Sequence, residues 1–209
     1  MAYSRYLDLF IANDFHTTAF TRDREPQERH QAARVGEYRW DVIDPISVRR
    51  GVEIRTLADN ILWVCQADGD GGKLRLNAHG DSNGIYNDSG YGIAADALAK
   101  FLKAHGLVAE NMGSPGLVTV NLAVCNAATG ARAEWLIKKL ADALALPGVR
   151  FTGAAAITRM SREGRLRVEY PRYVAPHLRS GKYVPPALQP KALAMFAGSH
   201  LKREYTYQP

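Results

Sequence analysis

The feature that most constrains this chain is an alternation of strand-like and helix-like segments through its middle. Residues 73–78 alternate apolar and polar side chains, as a strand with one buried face does. A helix is predicted over 93–102, ended by Gly106, and a buried strand over 118–124. A second helix is predicted directly after Cys125, and a core strand over 151–157 follows it. The apolar side of this second helix carries Trp135, Leu136, Leu140 and Leu144. This order predicts an α/β fold with a mostly parallel central sheet flanked by helices.

The two ends of the chain are less regular than its middle. Residues 6–12 predict a further strand, whereas 21–39 are rich in Arg, Glu and Gln and predict a surface loop or an exposed helix. Residues 164–170 indicate a more polar strand, and the Pro-rich segment that follows predicts a flap, an arm or a linker. We therefore expect a single domain over 1–209, with a basic Pro-rich flap or arm at about 159–209.

Composition narrows the class of protein. The chain has 209 residues, 46% of them hydrophobic, which is enough for a packed core and too many for a disordered tail. No apolar run approaches the roughly 20 residues that cross a bilayer, and the first residues lack the apolar stretch of a Sec signal peptide. Two cysteines do not make a disulfide framework. We expect a cytoplasmic protein, or one delivered into a host or target cell by a dedicated secretion machine.

Positive charge is concentrated towards the carboxy terminus. Residues 159–203 hold ten Lys or Arg against two Glu, whereas the whole chain has a net charge of +6. Such asymmetry favours an anionic partner, although a solubilising surface explains it equally well. Tyr170, Tyr173 and Tyr183 lie among the arginines, yet no recognised nucleic-acid motif is present, so nucleic acid is not the expected partner.

Two of the predicted strands end in reactive residues. The segment L-R-L-N-A-H-G ends at His79 and Gly80, and V-N-L-A-V-C-N carries Cys125. In an open α/β sheet the carboxyl ends of neighbouring strands meet at one edge, so a thiol and an imidazole would face the same substrate there. The backbone N–H groups of Gly80 and Cys125 would point at a developing oxyanion, and the dipole of a helix after Cys125 would favour a thiolate.

Each residue also has an ordinary interpretation. A cysteine at the end of an apolar strand is commonly a small buried hydrophobe, and a lone histidine before glycine is commonly a loop residue. Cys65 lies in an apolar run without a His-Gly partner, which predicts a core residue. The other histidines show no comparable context, and the scattered Cys and His residues lack the spacing of a zinc site, so no metal is expected.

Taken together, these motifs resemble those of the caspase-like cysteine peptidases, the caspase–gingipain–clostripain group. The nearest likeness is to the self-processing cysteine peptidase domain of large clostridial and RTX toxins. N-L-A-V-C-N at 121–126 is similar to that family's cysteine strand, and G-Y-G-I-A-A-D-A-L at 90–98 resembles the segment that follows its His-Gly. His79 precedes Cys125 by 46 positions, close to the roughly 50 found in caspases. The likeness covers about 60–160 and implies a caspase-like three-layer sandwich.

The resemblance also implies roles for individual residues. Cys125 would be the nucleophile of a thiol protease, His79 would protonate the leaving amine, and Gly80 with Cys125 would form the oxyanion hole. An aspartate on an earlier strand would orient the histidine, for which Asp14 is the candidate while Asp8 and Asp59 stay open. Family members are activated by inositol hexakisphosphate, which the basic residues Arg159, Arg165, Arg167, Arg172 and Lys182 would hold here.

The resemblance leaves the biological role and the exact reaction open. The toxin domains lie within long chains and cut their own neighbours, so this hydrolase would cleave a protein or peptide in trans, process its own termini, or act as a delivered toxin or effector. A Cys–His deamidase or acyltransferase would use the same thioester chemistry. A non-catalytic module that binds polyanions through the basic carboxy-terminal region is the alternative from another class. Asp81 or Asp88 would favour a basic residue before the scissile bond, unless each is an ordinary loop aspartate.

Overall fold

The computed structural model describes residues 3–11, 36–86, 92–155, 157–160, 166–169 and 202–209. The strands are β1 Arg5–Ile11, β2 Glu37–Ile43, β3 Gly72–Asn77, β4 His79–Gly80, β5 Ile85–Tyr86, β6 Gly92–Ile93, β7 Leu117–Ala123, β8 Arg150–Ala154, β9 Ile157–Met160, β10 Leu166–Glu169 and β11 Lys202–Thr206. The helices are α1 Pro45–Arg50, α2 Arg55–Cys65, α3 Ala95–Ala104 and α4 Leu136–Leu144, with short 3-10 turns at Ala109–Asn111 and Arg132–Glu134.

A six-stranded sheet in the order β11-β8-β7-β3-β1-β2 forms the centre of the molecule. Every neighbouring pair in it is parallel except β11 and β8, which are antiparallel. The predicted α/β class with a mostly parallel sheet is therefore confirmed. The prediction of a loop or exposed helix is wrong for 37–39, which begin β2. β2 is an edge strand in which Glu37 and Arg39 are exposed and Asp41 is half-exposed, so it lacks the apolar pattern that marks a buried strand.

One face of this sheet is apolar and carries the helices. Leu7, Leu74 and Leu122 belong to a core that also contains the buried residues of α2, α3 and α4. The connections from β2 to β3, from β3 to β7 and from β7 to β8 all step the same way along the sheet. Because such crossovers are right-handed, they bring their helices to the same face. Burial of these helices against the sheet is the main source of the fold's stability.

The opposite face of the sheet is polar, and it is buried as well. Asp8 is fully buried on β1, and its register partner on β3 is Arg75, which is 3% exposed. The Arg75 guanidinium donates to both Asp8 oxygens, and the Tyr38 hydroxyl donates to Asp8 Oδ2 at 2.9 Å. The expectation that residues 73–78 bury only one face is therefore wrong. Their polar positions are buried too, because charged partners on neighbouring strands satisfy them.

Two smaller sheets accompany the central one. β4, β5 and β6 form a three-stranded antiparallel sheet that begins directly beyond β3, and β9 with β10 forms a hairpin. Within the segment predicted as a flap or arm, β11 returns to pair with β8 in the central sheet. No helix in the described part of the chain is long and apolar enough to cross a membrane.

Candidate functional site

The two reactive residues predicted from the sequence follow adjacent parallel strands. In the ladder between β3 and β7, Asn77 is the partner of Ala123. His79 and Cys125 each lie two residues beyond that pair. Because neighbouring parallel strands share a carboxyl edge, the chain leaves the central sheet at this edge just before each of the two residues. The structure thus brings His79 and Cys125 to one edge of the sheet.

A close contact joins the His-Gly segment to the cysteine strand. A Cβ atom added to Gly80 would lie 2.8 Å from Val124 Cγ1 and 2.3 Å from the Gly84 carbonyl oxygen. Only glycine permits this approach, because real Cβ atoms do not come so near to other heavy atoms. Val124, which is fully buried, directly precedes Cys125. The packing therefore holds the backbone after His79 against the side chain of the residue that precedes Cys125.

Cys125 lies at the start of a sharp turn rather than at a helix N-terminus. The next residue, Asn126, has a left-handed backbone with φ 55°, a conformation that Asn tolerates better than most residues. The Ala128 N–H donates to the Ala154 carbonyl at 3.0 Å and so fixes the turn to β8. The prediction of a helix directly after Cys125 is wrong, because α4 begins only at Leu136. The expected helix dipole at the thiol is therefore absent from this site.

The backbone N–H of Gly80 is oriented away from its hairpin partner. The Asp81 N–H donates to the Gly84 carbonyl at 3.0 Å, which makes Asp81 and Gly84 a hydrogen-bonded pair. Antiparallel ladders alternate between bonded and non-bonded pairs, so the next pair, Gly80 with Ile85, is a non-bonded one. Gly80 therefore directs its N–H outwards from β4, which is an edge strand of its small sheet. This orientation suits the predicted oxyanion donor.

The two cysteines differ sharply in accessibility. Neither cysteine forms a disulfide, and Cys125 is of intermediate exposure whereas Cys65 is 0% exposed. Burial raises the pKa of Cys65 to about 12. Cys65 is therefore the core residue that the sequence predicted. His79 is exposed, whereas His105 is buried and accepts the Ile54 N–H at Nε2. Of the Cys and His residues in the described part of the chain, Cys125 and His79 are therefore the ones that solvent reaches.

The aspartates considered as partners of His79 have other surroundings. Asp14 lies outside the described residues. Asp8 is held by Arg75 in the middle of β1, and Asp59 is exposed on α2, so the structure brings neither to His79. Among the described aspartates, Asp81 follows His79 by two residues in the sequence. Its Oδ1 atom accepts the Asn83 N–H at 2.6 Å.

The sequence did carry a signal for the turn that contains Asp81. D-S-N-G at 81–84 has Asp first and Gly last, as four-residue turns favour. The Asp81 carboxylate also accepts the Tyr86 hydroxyl at 3.0 Å, which favours the interpretation of Asp81 as a turn residue over a role in binding a basic substrate. Asp88 lies outside the described residues. What the sequence did not indicate is that this turn brings Tyr86 next to His79.

The predicted anion-binding residues fall mostly beyond what is described. Arg165, Arg172 and Lys182 lie outside the described residues. Arg159 and Arg167 lie on β9 and β10, where they are register partners. In the part of the chain that the structure describes, no three His, Cys, Asp or Glu side chains come together as a metal site requires.

A cluster of cations lies on the polar face of the central sheet. The pKa of Lys73 is lowered to about 8, chiefly because burial disfavours its charged form. The neighbouring cations Arg75, Lys202 and Arg150 lower the Lys73 pKa further, and Asp8 opposes them in part. The Lys73 amine also lies 4.7 Å from the centre of the Tyr6 ring. Lys73 is therefore charged at neutral pH at a cost to the folded state.

This cost makes Lys73 a source of pH-dependent stability. Between about pH 8 and 10.5 the unfolded chain keeps the proton that the folded chain has lost, so the contribution of Lys73 to stability rises with pH. We expect Lys73→Met to raise the free energy of unfolding at pH 7 by about 1–3 kcal/mol. The gain should shrink as the pH approaches 10. Urea unfolding of the parent chain and of Lys73→Met from pH 7 to 10 measures the difference between their free energies of unfolding. The contributions of the other titrating groups cancel in this difference.

Lys103→Met provides the matched control, because Lys103 is an exposed lysine in the last turn of α3. It should change the free energy of unfolding by less than about 0.5 kcal/mol at any of these pH values. A difference between the parent chain and Lys73→Met that did not vary with pH would contradict the lowered pKa of Lys73.

No protein-family model matches the chain, and no curated protein matches it in sequence.

Proposed function

We propose that this chain is a cysteine endopeptidase in which Cys125 and His79 form the catalytic dyad. The observation that carries the proposal is their equal offset beyond the Asn77–Ala123 pair of two adjacent parallel strands. The half-exposed thiol, the exposed imidazole and the outward N–H of Gly80 support it. A nucleophile, a proton carrier and an oxyanion donor at one strand edge are the parts that acyl transfer requires.

The dyad would work as follows. His79 takes the thiol proton of Cys125, and the thiolate attacks the scissile carbonyl carbon. The resulting oxyanion is held by the N–H groups of Gly80 and Cys125. The C–N bond then breaks, the imidazolium of His79 gives its proton to the departing amine, and a thioester is left on Cys125. Water, deprotonated by His79, hydrolyses the thioester and releases the new carboxylate, and the proton returns to the thiolate.

The proposal includes the family suggested by the sequence motifs. The caspase-like form of the α/β fold is supported by the six-stranded, mostly parallel sheet and by the His and Cys residues on neighbouring strands. The substrate would be a protein or peptide, either in another molecule or in the termini of the chain itself. Activity in the cytoplasm or after delivery into a target cell belongs to the same proposal.

An anionic effector is a further part of the proposal. Arg75, Arg150 and Lys202 lie close enough to Lys73 for their charges to lower its pKa, although burial has the larger effect. Arg159 and Arg167 occupy opposite positions in the β9–β10 hairpin. A bound anion would offset the repulsion among the cations around Lys73. Inositol hexakisphosphate, which the sequence resemblance implies, has the charge to do so, and a free polyanion-binding module would use the same surface.

Selective alkylation of the thiols tests the dyad. With iodoacetamide at neutral pH, we expect the folded chain to react at Cys125 while Cys65 stays protected by burial. His79→Ala should slow the reaction at Cys125 on the order of tenfold or more, because an unassisted thiol is only a few per cent thiolate at pH 7. Mass spectrometry of the digested protein locates the label. The chain unfolded in urea is the control, in which both cysteines should react alike.

Two outcomes would decide against the proposed endopeptidase. If Cys125 and Cys65 reacted equally and only after unfolding, the proposal would be abandoned. If labelling were selective but candidate substrates gained the mass of an amide-to-acid conversion without chain cleavage, the same dyad would be that of a deamidase.

Repeating the alkylation with inositol hexakisphosphate tests the effector. We expect a faster reaction at Cys125 with this ligand but not with sulfate of equal ionic strength.

A further inference from the structure

The hairpin that follows β3 puts two further side chains beside His79. His79 is the ladder partner of Tyr86, and Gly80 is the partner of Ile85. In an antiparallel pair, partners share a face of the sheet, and so do residues two positions apart on one strand. His79, Tyr86 and Asp81 therefore occupy one face of the hairpin. Gly80 and Ile85 occupy the other, where Ile85 is 0% exposed and a Cβ at Gly80 would meet Val124.

Tyr86 is held in place from two sides. Its hydroxyl donates to Asp81 Oδ1 at 3.0 Å across the hairpin. Its ring lies over Gly92 of β6, where an added Cβ atom would come within 3.2 Å of Tyr86 Cε1. A side chain at position 92 would thus push against the ring. The hydrogen bond and the backbone contact together restrict the Tyr86 ring to one orientation.

The turn that holds Tyr86 is itself anchored. The Asp81 carboxylate accepts the Asn83 N–H at 2.6 Å and so closes the turn. The Lys139 amine donates to the Ser82 carbonyl at 3.2 Å, which ties the turn to α4. The support under the Tyr86 ring therefore reaches from the hairpin to the helix layer.

We infer that Tyr86 is a positioning residue for His79, a role that rests on the proposed Cys–His dyad. The Cβ atoms of directly opposite residues are about 5 Å apart, so a fixed ring at 86 limits the rotamers open to the imidazole at 79. Restricting them keeps the imidazole aimed towards the thiol. Misplacement of a reacting group by about 1 Å can cost on the order of 100-fold in rate.

The pH profile of Cys125 alkylation in the intact chain tests this inference. A thiolate held by a neighbouring imidazolium keeps reacting at pH 6, whereas a free thiol titrates near its usual pKa of about 8.5. We expect Tyr86→Ala to slow alkylation at pH 6–7 by about tenfold or more and to move the profile towards that of a free thiol. Tyr86→Phe keeps the ring over Gly92 and should stay within about threefold of the parent chain.

Tyr205→Ala is the matched control. Tyr205 also donates its hydroxyl to an aspartate, Asp142 Oδ1 at 2.7 Å, but it lies on β11 at the other edge of the central sheet. Its profile should equal that of the parent chain. Protection of Cys65 reports whether each variant is folded. If Tyr86→Ala exposes Cys65 and is therefore not folded, Tyr86→Leu replaces it in the experiment. Leucine is compatible with a strand but lacks the flat ring, so the alkylation profile of Tyr86→Leu should shift in the same direction.

Two results would overturn the inference in distinguishable ways. If folded Tyr86→Ala and Tyr86→Leu kept the parent profile while His79→Ala lost it, the dyad would stand and Tyr86 would have no positioning role. If His79→Ala left the parent profile unchanged, the dyad itself would fall, and the role of Tyr86 would fall with it.

Discussion

Replacing Cys125 with alanine is expected to abolish peptide cleavage, lowering kcat by roughly 10⁴- to 10⁶-fold. The magnitude follows from the proposed mechanism, in which the thiol forms the covalent bond that divides the reaction into two steps. His79→Ala should lower kcat to a similar extent, because nucleophile and proton carrier act as a unit and their losses are not additive. Incubation of each protein with a degenerate peptide mixture, followed by mass spectrometry of the products, measures the effect.

The second cysteine provides the control for this experiment. Cys65→Ala removes a buried sulfur from α2 and is expected to cost about 1–3 kcal/mol of stability, but the folded fraction should cleave at the parent rate. The double variant Cys125→Ala with His79→Ala should be no slower than either single variant. Cleavage that persisted in Cys125→Ala at the parent rate would refute the assignment of the nucleophile.

Asp8→Ala is expected to have the largest effect on stability, lowering the free energy of unfolding by about 3–5 kcal/mol. The carboxylate is 0% exposed, and its removal leaves the Arg75 guanidinium buried without its counter-ion. The Tyr38 hydroxyl loses its acceptor as well. Arg75→Ala should destabilise the fold by a similar amount for the converse reason, since it leaves a buried carboxylate. Urea unfolding followed by circular dichroism measures both effects.

A double variant separates the cost of an unpaired charge from the value of the pair. Asp8→Leu with Arg75→Met replaces both charges by apolar groups, and it should be less destabilising than either single substitution. Tyr38→Phe removes only one hydrogen bond to the Asp8 carboxylate, and we expect it to cost about 1 kcal/mol. If the double variant cost as much as the two single variants combined, the two side chains would not be energetically coupled, and the penalty assigned to an unpaired buried charge would be contradicted.

The buried pair also constrains the candidate site. Arg75 lies on β3 two residues before Asn77, and the Asn77 amide donates to Asp8 Oδ1 at 3.1 Å. These bonds fix β3 against β1 close to the point where the chain leaves the sheet towards His79. Loss of Asp8 is therefore expected to weaken the alignment of the strand ends as well as the fold.

The periodicity of the sequence determined the fold class and the location of the candidate residues. The apolar pattern of 118–124 and the helical spacing of 93–102 were sufficient for β7 and α3, because burial on one side leaves a local repeat in the chain. The two short segments that end at His79 and Cys125 then had to meet, since parallel strands of one sheet share a carboxyl edge. The local sequence pattern was therefore sufficient to predict the fold class and the location of the candidate residues.

The tertiary structure alone decided the features that depend on partners distant in sequence. Arg75 has the pattern of a solvent-facing residue, and only Asp8 on a neighbouring strand explains its burial. Cys125 precedes a turn instead of a helix, because hydrogen bonds to β8 fix the backbone that follows it. Tyr86 reaches His79 only through the register of a hairpin that no periodicity marks. Periodicity records which side of an element is apolar, whereas pairings across elements depend on the packing of the whole chain.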